Sequence, residues 1–384
     1  MLNSYNLKMP QAVYSGENAL EQIKTVIGEA KRVAVFSDQG IIGAGLLDRP
    51  LELIRAAGAE TVLFGELPAE PTCDQAQAVI DEFKESGADF IVATGGGSVM
   101  DIAKLASILA TDQYGVRDLL DNPLLGKKCV RSLMIPTTAG TGAEATPNSI
   151  VAVPEKEVKV GIVNPEMIAD AVILDAEMIK KLPRKIAAAT GVDALAHAIE
   201  CFTSNKANPF SDTFALEALD MILNNIEKAC DEPTALDEKG KMLIAAFYAG
   251  IAITASGTTA VHALSYPLGG KYHIPHGVSN AMMLVPVMKF NEPVCRERFA
   301  AAYDRAAHDG SNCTTAEDKS AWVISRLDSI VKHLEIPVSL KEYGVPAEDL
   351  ETLVASGMDV KRLLNNNMRE VTAEDARSLY LQIM

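Results

Sequence analysis

One stretch constrains the fold more than any other. Asp89-Phe-Ile-Val-Ala-Thr94 runs without interruption into Gly95-Gly-Gly-Ser98. An apolar run of this length reads as a strand buried inside a sheet. Glycines directly after it mark a tight strand-to-helix turn, and the next helix is expected over Ile102–Leu109. The same alternation recurs on both sides. Ala12-Val-Tyr14, Arg32-Val-Ala-Val-Phe36, Thr61-Val-Leu-Phe64, Ser132-Leu-Met-Ile135 and Ala171-Val-Ile-Leu174 read as further strands. A helix is expected over 74–86, with Ala76, Val79, Ile80 and Phe83 on one side. An apolar helical segment is expected from Asp38 to about Ala59, broken at Pro50. Residues 149–153 and 158–163 read as a hairpin around Pro154-Glu155. Strands alternating with helices predict a parallel α/β domain.

After Pro183 the pattern changes to long Ala/Leu/Ile/Met-rich segments. This half reads as an all-α domain, giving domains at 1–180 and 181–384. The segment 355–371, with Asn365-Asn-Asn367, reads as a loop with no assigned place. A chain of 384 residues suits two domains. Its net charge of −16 argues against nucleic acid and anionic membrane surfaces as partners. No apolar run reaches the roughly 18 residues of a membrane span, and the first ten residues lack a signal-peptide core. Six scattered cysteines without a CxxC pair fit reduced thiols in a cytoplasmic protein.

Gly95, Gly96, Gly97 and Ser98 let a ligand approach the backbone closely. The N–H groups and dipole of a helix starting there favour a pyrophosphate. A second loop, Thr137-Thr-Ala-Gly-Thr-Gly142, follows another strand, so both loops belong to the carboxyl edge of one sheet, where such folds bind ligands. The pattern is not GxGxxG. The candidate ribose acid, Asp38, precedes Gly95 by 57 residues instead of following it, which predicts an unusual strand order. A carboxylate there favours NAD over NADP. A strand-end turn residue is an equally good reading of Asp38.

Gly191-Val-Asp-Ala-Leu-Ala-His-Ala-Ile-Glu200 reads as a helix. It places Asp193 and His197 one turn apart on one face. A carboxylate and an imidazole so placed suit a divalent metal. His262 lies in an apolar helix, and His273 and His276 flank Ile274-Pro275 in a loop that opens another helix. We read Asp193, His197, His262 and His276 as one metal site. Three imidazoles and one carboxylate suit Fe²⁺ or Zn²⁺ and leave a position open for catalysis. His308 and His333 read as surface or capping residues.

These motifs resemble those of the iron-containing (group III) alcohol dehydrogenase family. The likeness rests on Gly95–Lys104, on Pro136–Glu144, on Gly191–Glu200 and on Pro275-His-Gly277, and it covers nearly the whole chain. It implies an N-terminal NAD-binding α/β domain, dehydroquinate synthase-like in fold, and an all-α C-terminal domain. It implies the same four metal ligands. It also implies cofactor contacts at Asp38, Gly95, Gly96, Gly97, Ser98, Val99, Thr137, Thr138, Thr141, Asn148 and Lys159, and a homodimer or larger homo-oligomer. The implied reaction interconverts a small primary alcohol and its aldehyde with NAD(H).

One position departs from the family pattern. Many relatives carry a histidine four residues after the third ligand; this chain has Tyr266. A phenol is a poor base near neutrality, so His273 is an alternative proton relay and simple packing an alternative role for Tyr266. Lys271 is a candidate for binding the far end of an acidic aldehyde, a semialdehyde or a sulfo-aldehyde, or is merely exposed. Two competing readings are a dehydroquinate synthase-like lyase, disfavoured by few basic residues in 184–210 and 255–280, and a non-catalytic NAD-binding protein.

Overall fold

A computed structural model describes residues 5–69, 71–156 and 158–384. The chain divides into two units, one holding Lys8–Leu182 and the other Pro183–Met384 together with residues 5–7.

The first unit runs β1 (Ala12–Ser15), α1 (Ile23–Ile27), β2 (Arg32–Phe36), α2 (Gln39–Gly43), α3 (Asp48–Ala56), β3 (Glu60–Phe64), α4 (Cys73–Ser86), β4 (Phe90–Gly95), α5 (Gly97–Leu109) and α6 (Val116–Asp121). It continues with β5 (Arg131–Pro136), β6 (Asn148–Val153), β7 (Val158–Val163) and β8 (Ala171–Leu174). Six strands form one parallel sheet in the order β1-β8-β5-β4-β2-β3. Both faces of its middle are buried, which is why these strands read as continuous apolar runs. Val33, Val35, Phe90, Val92, Leu133 and Ile135 pack on one face with Ile23, Leu53 and Ile54. On the other, Phe36 stacks on Phe64 with ring centroids 4.9 Å apart and meets Phe83 of α4 at 5.8 Å. The chain winds from β2 outward to β3, then returns to β4 on the opposite side of β2. Strand order therefore reverses between β2 and β4, and the crevice at their carboxyl ends is where such sheets bind ligands.

Two local expectations are corrected. The helical segment after Asp38 breaks at 44–47, where Gly45 has φ 72°, and not at Pro50. Pro50 is the third residue of α3, where a missing N–H costs no helical hydrogen bond. Helix α5 starts at Gly97, five residues before the expected Ile102. The expected hairpin is the antiparallel pair β6–β7.

The second unit contains only helices among its named elements: α7 (Arg184–Phe202), α8 (Pro209–Asp231), α9 (Leu236–Ser256), α10 (Ala260–Tyr272), α11 (His276–Ala306), α12 (Ala316–His333), α13 (Leu350–Met358), α14 (Lys361–Leu364) and α15 (Ala373–Leu381), with short 3₁₀ turns. α7, α8 and α9 pack on one another, and α11 lies against α7, α8, α10 and α12. Among the described residues no single helix is long and apolar enough to cross a membrane. The segment 355–371 is not a free loop. It completes α13, forms α14, and ends in an asparagine turn. Asn366 donates from Nδ2 to the Thr258 carbonyl at 2.9 Å, and its own carbonyl accepts from the Asn205 N–H at 2.8 Å. This turn buttresses the residues just before α10.

The start of α11 touches α7 so closely that only glycine fits at 277. A Cβ there would lie 2.1 Å from the Ala189 carbonyl oxygen. Gly277→Ala is expected to destabilise the protein by about 1–3 kcal/mol through overpacking, seen as a lower urea midpoint. Gly270→Ala, with nothing within 4 Å of its Cβ, is expected to leave the midpoint unchanged or raise it. Equal midpoints for the two variants would contradict this packing.

Candidate metal centre

Helix α7 sets Asp193, His197 and Glu200 at i, i+4 and i+7, on one buried face. α10 supplies His262 in its first turn, and α11 supplies His276 as its first residue. The Asp193 Oδ1 lies 3.7, 3.5 and 3.6 Å from the Nε2 atoms of His197, His262 and His276. One ligand atom from each of the four falls within 4.8 Å of the others. Metal–ligand bonds of about 2.1 Å in a tetrahedral array would set neighbouring ligand atoms roughly 3.4 Å apart. The donor set therefore fits a divalent cation in both chemistry and spacing. Nδ1 of His197 is buried and has no hydrogen-bond partner among the described residues, so this is not a satisfied core histidine. The His276 side chain is 42% exposed, whereas the other three are at most 7% exposed. The centre thus opens to solvent on the His276 side.

Two residues beside the ligands escaped the sequence reading. Glu200 is fully buried. Its Oε1 accepts from the backbone N–H of Thr259 at 3.0 Å and of Val261 at 2.7 Å, and from the Thr259 hydroxyl at 2.7 Å. Its Oε2 meets Nδ1 of His262 in a short hydrogen bond. Asn280, also fully buried, donates from Nδ2 to Asp193 Oδ1 at 2.7 Å, and the same nitrogen lies 3.1 and 3.2 Å from Nε2 of His262 and His276. A cation would take the imidazole lone pairs and leave this amide on Asp193 alone. The signal for both was spacing: Glu200 continues the face of His197 at i+3, and Asn280 that of His276 at i+4.

Electrostatics keep the acids ionised. Burial would raise the Asp193 carboxyl, but the charges of His197 and His276 and the bond with His262 hold it well below the usual range. Burial lowers His197 to about 4, so it offers a neutral imidazole at pH 7. Burial acts the same way on His262, but the charge of Glu200 and the bonds to Asp193 and Glu200 prevail and raise it to about 9.

Tyr266 lies one turn after His262. Its ring centroid is 6.4 Å from that of His262 and 6.1 Å from that of His276. No hydrogen bond to its hydroxyl is found among the described residues. Burial raises its pKa above the usual phenol value, against the pull of nearby Arg362. His273 is exposed and caps α10 in the left-handed conformation, φ 54°. Lys271 is half-exposed and its Nζ pairs with Asp349 Oδ2 at 2.8 Å. It follows His262 by nine residues, about two and a half turns, which places it on the other side of α10.

In the first unit, the structure brings most of the sequence-selected residues to the carboxyl edge of the sheet. A Cβ on Gly97 would lie 3.0 Å from Thr141 Cγ2, and one on Gly96 would lie 3.8 Å from Thr138, so the two loops touch. Gly95 packs against Val99, 2.6 Å from a Cβ placed on it. Helix α5 has Gly96 as its N-cap and no side-chain cap, which leaves its first turn suited to an anion. The hydroxyls of Thr94 and Thr137 are buried there without partners among the described residues. Ser37, beside Asp38, donates to the Thr94 carbonyl at 2.8 Å and joins the ends of β2 and β4. Asp38 itself caps α2, accepting from the Ile41 N–H at 3.0 Å. Asn148 and Lys159 are not brought together. Asn148 pairs with Val163 and Lys159 with Ala152, about 13 Å apart along the ladder.

Protons compete with a cation for the His262 nitrogen. With His262 near 9 and His197 near 4, binding at neutral pH displaces about one proton. Metal affinity should therefore rise about tenfold per pH unit between about pH 6 and 8, measured by chelator competition. A pH-independent affinity in that range would contradict the assignment.

Comparison with known proteins agrees with this geometry. Residues 10–176 match the model of the iron-containing alcohol dehydrogenases, and residues 187–384 match that of the Fe-containing alcohol dehydrogenase family, C-terminal. The chain is 31% identical to a long-chain-alcohol dehydrogenase of Geobacillus thermodenitrificans, with 97% of this chain and 94% of that protein covered. It is 34% identical to a sulfoacetaldehyde reductase of Bilophila wadsworthia, with 94% of each covered. A crystal structure of a sulfoacetaldehyde reductase from Bifidobacterium kashiwanohense, in complex with NAD+, is similar with a TM-score of 0.88 and 25% identity over 100% of this chain and 99% of that one. The chain therefore belongs to the iron-containing alcohol dehydrogenase family, as one of its NAD-dependent enzymes.

Proposed function

We propose that this enzyme interconverts a small primary alcohol and its aldehyde with NAD(H), using Fe²⁺ held by Asp193, His197, His262 and His276. The observation that carries the reading is the convergence of those four ligand atoms beside an unpartnered phenol. A divalent cation supplies Lewis acidity toward the substrate oxygen, and the nicotinamide supplies the hydride acceptor or donor. Asp38, Gly95, Gly96, Gly97, Ser98, Val99, Thr137, Thr138, Thr141, Asn148 and Lys159 hold NAD(H). The Asp38 carboxylate disfavours the 2′-phosphate of NADP. Zn²⁺ fits the same ligands and competes according to supply. The protein works in the cytoplasm as a homodimer or larger homo-oligomer, with no nucleic-acid or membrane partner, in keeping with its net charge of −16.

Tyr266 is the catalytic side chain of this reading, in preference to His273. Its raised pKa keeps the proton on Oη at neutral pH, so it donates a hydrogen bond to the substrate oxygen and does not act as a base. The substrate class is an acidic aldehyde. Lys271 is a poor anchor for it, because Asp349 already neutralises it. Arg362, on α14 packed against α10, is exposed, has no ion pair among the described residues, and acts electrostatically on Tyr266. The sulfoacetaldehyde reductases similar to this chain support an anionic substrate.

The test is NADH oxidation, under anaerobic conditions with defined Fe²⁺ or Zn²⁺, on propanal, succinic semialdehyde and sulfoacetaldehyde. Asp193→Ala should lose both metal and turnover. Tyr266→Phe should keep its metal and lose about tenfold or more in kcat. Arg362→Met should raise KM for the anionic aldehydes at least tenfold and leave propanal unchanged, while Lys271→Met should do neither. Retained activity in Asp193→Ala would sink the metal-centred reading. Absence of an acid preference, or its survival in Arg362→Met, would remove the substrate class alone.

A further inference from the structure

We propose that Glu200 is the positioning residue of the metal centre, fixing which nitrogen of His262 faces the cation. The inference rests on the centre itself and not on the substrate reading.

The two oxygens of this carboxylate do different work. Oε1 gathers the N–H groups that open α10, those of Thr259 and Val261, with the His262 N–H further off at 3.4 Å. Thr259, the N-cap of α10, makes no side-chain cap of its own, so Glu200 replaces it from the neighbouring helix. Oε2 faces His262 Nδ1. An ionised carboxylate only accepts hydrogen bonds, so Nδ1 must carry the proton. The proton that a cation displaces then leaves from Nε2, the atom 3.5 Å from Asp193 Oδ1. A ring nitrogen bound to a carboxylate in this way fixes the tautomer and the ring plane of a metal-bound histidine. Because Oε1 is anchored to the backbone of the same helix turn that carries His262, the ring and its support move as one body. Among the described residues His197 has no such partner on its Nδ1.

Glu200→Gln separates the two roles. Its amide oxygen can still accept from the helix N–H groups. Its NH₂ then donates to His262 Nδ1, which forces the proton onto Nε2 and blocks that atom as a ligand. The opposite amide orientation would set NH₂ against the N–H groups of the helix. The experiment uses the full-length protein, loaded with Co²⁺ as a spectroscopic probe. Glu200→Gln should bind Co²⁺ about 10- to 100-fold more weakly in chelator competition, with an altered d–d absorption spectrum. Its metal-free circular dichroism should match wild type. Thr259→Ala, which removes one hydroxyl donor to Oε1 and leaves Oε2 untouched, should retain wild-type Co²⁺ affinity and spectrum. Wild-type Co²⁺ binding by Glu200→Gln, or an equal loss in Thr259→Ala, would overturn the proposal. Should Glu200→Gln not fold, ¹⁵N-histidine spectra of the Zn²⁺-loaded wild type decide the matter. A proton on His262 Nδ1 is the expected result, and a bare Nδ1 would refute it.

Discussion

Two carboxylates lie buried within two turns of one helix, and the elements around them in the second unit keep them charged. Asp193 and Glu200 both lie on the inner face of α7, where burial by itself pushes both carboxyls up. An isolated ion in such surroundings carries a penalty of several kcal/mol unless paired and hydrogen-bonded. Glu200 is compensated by the opened turn of α10 and by His262. Asp193 is compensated by three imidazoles and the Asn280 amide. His262 touches both, which is why it is held near 9 while buried His197 falls to about 4. A cation takes over the charge that His262 otherwise has to supply, so metal uptake and the ionic balance of the interior are the same event seen from two sides.

The geometry of α10 follows from this. Its first turn is drawn toward α7 by Glu200, and the residues before it are held by Asn366 through the Thr258 carbonyl. Further on, the Leu264 carbonyl accepts from the buried Tyr380 hydroxyl at 2.7 Å, in a helix whose ladder Pro267 interrupts. The C-terminal helices are thus fastened to α10 and to the residue two before it. They are part of what keeps His262 and Tyr266 in place.

The sequence carried the metal ligands because each chemical group sat at a regular helical interval or at a helix start, and such intervals survive folding unchanged. It carried the middle of the sheet because those strands are buried on both faces and therefore lack polar interruptions. It lost information where one residue type serves opposite ends. Proline 50 looked like a helix break and is a first-turn residue. The triplet 95–97 looked like a loop, yet Gly97 is already helical. Glu200 lay inside the motif that announced the site. Its i+3 relation to His197 identifies a face, but its partners come from α10, 59 to 62 residues away, and no local pattern encodes them. The asparagines at 365–367 were opaque for the same reason: the Asn366 and Asn367 side chains are spent on Thr258 and Asn291, and the main-chain carbonyl of Asn365 accepts from the Asn205 amide, contacts that exist only after the helices have docked.

Charge at long and short range would have opposite consequences for the small anionic substrate proposed above. A net charge of −16 would repel it from a distance and slow encounter. At physiological salt, however, fields between exposed groups decay over about 8 Å, so the distant acids count for little once the substrate is at the open side of the metal centre. There the balance belongs to the nearest groups. Asp193 and Glu200 are already matched by imidazoles and backbone amides, and Lys271 is matched by Asp349. Arg362 is the cation near Tyr266 without an ion pair among the described residues. A local field set by one unmatched guanidinium is thus compatible with a strongly acidic chain, and the difference between Lys271 and Arg362 lies in whether a carboxylate has already claimed the charge.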